Sequence, residues 1–236
     1  MPRSKAVQSG GNRENSSNGC EVRISPRGLP GILRVPKNAF ALVAFAHGSG
    51  SSRLSPRNTL VAHALNDRDI ATLLFDLLTP AEEADRANVF NIPVLANRLL
   101  EALFWLDGQS AVTKLPVGLF GASTGAAAAL VAAAKLPSRV DAVVSRGGRP
   151  DLARDALDEV YAPTLLIVGG ADSGVIELNE QALARLRGPK TLEIIPGASH
   201  LFPEPGALEA VIEHAAAWFE RYLKPAPIAK SQVASR

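Results

Sequence analysis

The stretch LPVGLFGASTGAAAA, Leu115 to Ala129, runs from an apolar strand into an alanine-rich helix through Gly121-Ala122-Ser123-Thr124-Gly125. This is G-x-S-x-G in the strand–turn–helix context that the motif requires. So sharp a turn forces its middle residue into a strained backbone conformation. The residues two positions either side must be tiny, because the strand and helix backbones nearly touch there. Gly121 and Gly125 meet that need, and Ser123 is left with its hydroxyl at the head of a helix. The spacing is not that of a dinucleotide fingerprint. No Lys-Ser or Lys-Thr pair follows the glycines, so a P-loop is excluded too.

Outward from this turn, short apolar runs alternate with segments of helical period. Strands are expected at Glu21–Ser25, Gly31–Val35, Ala41–Ala46, Thr72–Asp76, Val117–Phe120, Ala142–Ser145, Thr164–Val168 and Thr191–Ile195. The central ones are continuously apolar, as strands covered on both faces must be. Helices are expected at Pro56–Asn66, Ile92–Leu106, Thr124–Leu136, Asp151–Glu159, Leu178–Leu186 and Leu208–Tyr222. The alternation predicts a doubly wound, mostly parallel α/β sheet of about eight strands, without a large cap. Residues 80–91 (PAEEADRANVFN) read as a solvated link rather than a loop over a site. One domain over 21–223 is expected, between a flexible leader at 1–20 and a flexible tail at 224–236.

A serine hydroxyl needs a base, and the base needs an orienting group. His63 and His214 fall inside predicted helices, and His47 ends a strand before the elbow. His200 follows the last strand, at the carboxyl edge where open α/β sheets gather their chemistry. Thr164–Val168 leads into Gly169-Gly170-Ala171-Asp172, which puts Asp172 at the same edge. The order Ser123…Asp172…His200 is one of the three known chain orders for such a triad. For a developing oxyanion, the backbone N–H of Thr124 is one expected donor. The N–H of Ser49, in the glycine-bearing loop HGSGSSR (47–53), is the other. Arg53, Arg146 and Arg149 all follow strands and are candidate substrate-binding residues. Pairing with loop carboxylates such as Asp151 or Glu82 is the plainer role for them.

The 236 residues are 47% hydrophobic and 20% charged, a globular composition. The net charge of +2 resides in the termini, leaving residues 21–223 at −3. With twelve aromatic residues in all, neither a basic groove nor a stacking platform for nucleic acid is indicated. The longest apolar runs, Phe40–Ala46 and Ala126–Ala134, are too short to span a membrane. One cysteine, Cys20, permits no internal disulfide, and no close set of Cys and His suggests a metal. No secretory signal is evident, so a cytoplasmic location is the default. The expected ligand is a small ester-type molecule, with no cofactor. Oligomeric state is not legible.

HGSGSSR (47–53), GASTG (121–125), GGAD (169–172) and GASH (197–200) resemble the α/β-hydrolase superfamily, and within it the small, lidless dienelactone-hydrolase-like group. The resemblance covers about residues 21–223. It implies a Ser–His–acid triad that hydrolyses ester-type bonds through an acyl-enzyme, without a cofactor. Dienelactone hydrolases proper carry a cysteine nucleophile where this chain has Ser123, so general ester chemistry is implied rather than the lactone. Thioesterase, lactonase and acyltransferase activities share the same machinery. The alternative of a different class is a non-catalytic binding module on a hydrolase fold. Similar sequences also occur alongside phosphoribosyltransferase domains, and nothing of that kind is present in this chain.

Overall fold

A computed structural model describes residues 19–224; the expected leader and tail otherwise lie outside them. Eight strands form one sheet: β1 (Cys20–Ile24), β2 (Leu29–Arg34), β3 (Ala41–Ala46), β4 (Ile70–Phe75), β5 (Val117–Ala122), β6 (Ala142–Arg146), β7 (Thr164–Gly169) and β8 (Lys190–Ile195). Their spatial order is β1-β2-β4-β3-β5-β6-β7-β8. The first two pair antiparallel, and the rest run parallel from β4 to β8. Cys20, placed in the leader by the sequence reading, instead opens β1 and is exposed.

The continuous apolar runs have the expected cause. Along β3, Leu42, Ala44 and Ala46 face one core, while Ala41, Val43 and Phe45 face the other. The first core is completed by α4 (Ile92–Asp107) and α5 (Thr124–Lys135). The second is completed by α1 (Pro56–Asn66) and α7 (Ala207–Leu223). Period-2 geometry thus serves two layers at once. None of the described helices is long and apolar enough to cross a membrane.

Three segments differ from expectation. The Pro150–Glu159 segment is 3₁₀ rather than α-helical. α6 spans Ser173–Arg185, starting five residues before the predicted Leu178. Residues 80–91 are not a plain link: they hold α2 (Pro80–Glu83) and α3 (Arg86–Val89). Thr79 and Glu82 form a reciprocal capping box, and Glu82 also takes the buried Arg98 of α4 at 2.6 Å.

The Thr79 backbone N–H first, then Arg98, hold the Glu82 carboxyl below its ordinary value of 4.5. Because the folded-state value is depressed, this stabilisation is complete above pH 4.5 and is lost as pH falls through the folded value. Glu82→Gln should therefore cost about 1–2 kcal/mol near neutral pH. The difference from wild type should shrink on acidification. Urea melts at pH 7 and at about pH 2.5 check this, and an equal difference at both would refute it.

Candidate active site

Ser123 sits between β5 and α5 with φ 51° and ψ −122°, a conformation that side chains other than glycine rarely adopt. Its N–H donates to the Arg146 carbonyl at 3.3 Å, and its own carbonyl accepts from Ala126 and Arg149. A Cβ at Gly121 would collide with the Ala126 backbone, and one at Gly125 with the Ala46 and His47 carbonyls. Nine of the twelve residues of α5 are buried, seven of them in the unbroken run from Thr124 to Leu130.

Asp172 is the N-cap residue of α6, yet its side chain makes no cap hydrogen bond. Its Oδ2 instead lies 2.7 Å from His200 Nδ1. A carboxylate in that position holds the proton of the imidazole on Nδ1 and leaves Nε2 as the acceptor. The loop carrying His200 is latched by Glu204, whose Oε1 accepts from the Ser199 N–H at 3.0 Å. Sequence reasoning missed Glu204. The four-residue spacing from His200 is the only trace of it.

His200 and Ser123 line one cleft of about 200 Å³, together with Gly48, Ser49, Arg57, Asn58 and Arg146. His47, by contrast, is a fastener. The Leu77 N–H donates to its Nε2 at 3.1 Å, while its Nδ1 lies 3.0 Å from the Gly48 carbonyl. Burial pushes its pKa down, so it is a neutral imidazole with the proton on Nδ1. His63 and His214 lie on α1 and α7, outside the cleft.

The expected oxyanion donors need one correction. Thr124 N–H is unpaired among the described residues, as an N1 amide is. The Ser49 N–H is not free: it donates to Thr124 Oγ1 at 3.1 Å. It is a donor held beside the expected position, not an open one.

The three candidate arginines part company. Arg53 gives both its backbone N–H and its Nη1 to Asp76, at 2.7 and 2.6 Å. Arg149 forms a bidentate pair with Asp151, both contacts 2.8 Å. Both pair with a nearby carboxylate, the plainer of the two expected roles, and neither lines the cleft with Ser123. Arg146 alone reaches the cleft, where Arg57, which sequence reading passed over, joins it. A second, smaller cavity of about 40 Å³ shares Gly48, Ser49 and Ser51 with the cleft and adds Thr124, Leu77, Leu78 and Val89. Val89 comes from the 80–91 segment, so that segment borders the site.

A mostly parallel eight-stranded sheet with helices on both faces and a strained serine at the β5–α5 turn is the α/β-hydrolase fold. Est1E from Butyrivibrio proteoclasticus shares this fold at 18% identity, with a TM-score of 0.73 over 87% of this chain and 98% of that one. Residues 63–224 match the dienelactone hydrolase family, and the chain belongs to it. A dienelactone hydrolase from Anabaena variabilis ATCC 29413 is 55% identical, with a TM-score of 0.84 over 87% of this chain and 97% of that one. A Mycobacterium tuberculosis (strain H37Rv) protein provisionally named a phosphoribosyl transferase is 57% identical over 203 residues. That match covers 86% of this chain but 46% of the relative, so the chain spans about half the length of such curated relatives.

Proposed function

We propose that this hydrolase is a serine esterase acting through an acyl-enzyme. The observation that carries the reading is the 2.7 Å pair of His200 Nδ1 and Asp172 Oδ2 opening onto the same cleft as the strained Ser123. Ser123 Oγ bonds to the acyl carbon as its proton passes to His200 Nε2. The tetrahedral oxyanion takes the Thr124 N–H, and the Ser49 N–H turns to it from Thr124 Oγ1. Collapse breaks the ester C–O bond, and His200 returns the proton to the departing alcohol oxygen. Water then gives a proton to His200 as its oxygen attacks the acyl carbon. Expulsion of Ser123 with that proton frees the acid. Asp172 keeps the imidazole in the productive tautomer throughout.

The small cavity beside Ser49 and Thr124, walled by Leu77, Leu78 and Val89, suits a short apolar group on the acyl side. The transferase name of the mycobacterial relative belongs to a protein more than twice as long as the segment matched here. The matched part corresponds to the hydrolase-fold chain, which supports hydrolysis as this chain's own chemistry.

A fluorophosphonate probe tests the reading directly. Stoichiometric phosphonylation mapped to Ser123 by mass spectrometry, and abolished in Ser123→Ala, is the expected result. A folded protein that takes no label would replace the enzyme reading with that of a binding module.

A further inference from the structure

The cleft holds two cations and no anion. Arg146 is 5% exposed, and its one side-chain hydrogen bond among the described residues is a long one, Nη2 to Asn58 Oδ1 at 3.4 Å. Its Nε is buried without a partner. Arg57, half-buried in the first turn of α1, makes no side-chain hydrogen bond or ion pair among the described residues, and its Nε too is buried and unpaired. No carboxylate lines the cleft. Burial first, then the facing charge of Arg57, push the Arg146 pKa down to about 10, still well above neutral pH.

Such an arrangement is costly unless something compensates it. A buried guanidinium with only one long hydrogen bond to Asn58 and the Phe202 ring 6.0 Å away recovers little of the hydration it has lost. A cation in the first turn of a helix also opposes the helix dipole. Ordinary structural arginines in this protein are treated differently: Arg53, Arg98, Arg149 and Arg185 each meet at least one carboxylate. Arg34 on β2 also carries a buried, unpaired Nε and no ion pair, but only Arg57 and Arg146 among the described residues stand together, without a carboxylate, on the wall beside Ser123. A single carboxylate would neutralise only one of the two charges. A phosphate monoester carries close to two negative charges at neutral pH and offers three acceptor oxygens to guanidinium donors.

We infer that the cleft binds a phosphate monoester group through Arg57 and Arg146, so that the natural substrate is an ester carrying a phosphate on the side away from the small apolar cavity. This deepens the serine-esterase reading and rests on it for the position of the scissile bond. The anion site itself stands on the arginines alone.

The test separates the two. Binding is measured calorimetrically on the whole 236-residue chain carrying Ser123→Ala, which turns nothing over, with phenyl phosphate, benzoate and inorganic phosphate as probes. Phenyl phosphate should bind at least tenfold more tightly than benzoate. Arg57→Ala and Arg146→Gln should each weaken phenyl phosphate by about ten- to a hundredfold, the usual worth of a charge-assisted contact. Should the buried Arg146→Gln variant not fold, Arg57→Ala decides alone. Benzoate binding as well as phenyl phosphate, or phenyl phosphate binding unchanged in Arg57→Ala, would overturn the proposal. So would inorganic phosphate binding while phenyl phosphate is excluded. Phenyl phosphate binding to a wild-type protein that resists the fluorophosphonate would sink the esterase reading and leave the anion site standing.

Discussion

Asp172→Asn is expected to lower kcat on a short-chain ester about 10,000-fold, with KM and the melting temperature close to wild type. The reason lies in one hydrogen bond. Asp172 accepts the Nδ1 proton of His200 at 2.7 Å, and this leaves Nε2 as a lone-pair acceptor, as the proposed transfer from Ser123 requires. An asparagine of the same shape can present its N–H₂ to Nδ1 instead. The proton then moves to Nε2, and the imidazole faces the serine with a donor rather than a base. Asp172 makes no helix-cap bond that the substitution would break, so the fold should tolerate it. Steady-state kinetics with a thermal melt of the same sample check both halves. A loss below tenfold would show that Asp172 does not orient the base.

Gly125→Ala should have the largest effect on stability, upward of about 4 kcal/mol, and leave little soluble protein. The new methyl would have to occupy space held by the Ala46 and His47 carbonyl oxygens, and neither is a flexible side chain. β3 cannot retreat, since it is hydrogen-bonded to β4 on one side and β5 on the other. Gly174→Ala is the contrasting case. Nothing lies within 4 Å of a Cβ there, and it sits in the first turn of α6, so the same change should stabilise by about 0.5–1 kcal/mol. Chemical denaturation of the two variants side by side tests the steric account. Equal effects at the two positions would refute it.

The strand–turn–helix core was readable because several independent signals coincide there. β3 and α1 occupy their predicted spans, and α5 ends one residue early, before Pro137. Asp172 and His200 were locatable because each stands just beyond an apolar run, where a parallel sheet leaves its loops. The rest depended on contacts the linear pattern does not carry. The pairing of Arg149 with Asp151 was among the roles the sequence offered, but nothing near Arg53 announces that Asp76, 23 residues on, will claim it. The Ser49 amide points to Thr124 because of how the 47–53 loop turns, and that turn is not encoded in residue types alone. Two signals were present and passed over. Thr79-Pro80-Ala81-Glu82 is a capping box, which argued for a helix where a link was read. Arg57 follows the proline that opens α1, a place where the helix dipole disfavours a cation. A misplaced charge of that kind is a reason to look for its missing anion. α6 was under-read because Ser173-Gly174 masks its first turn.

The alanine helix behind Ser123 has a bearing on how such a protein changes over generations. Alanine has no side-chain torsion to freeze or to vary, so the wall that carries the serine offers selection almost nothing to adjust without breaking the fold. The opposite wall is made of other material: the 80–91 segment is largely exposed and meets the small cavity through Glu83 and Val89. Substitutions there can reshape the cavity while the reacting atoms stay where they are. On the proposed esterase reading, inheritance in this lineage can therefore explore new acyl groups along one wall, with the reaction itself held constant by the other.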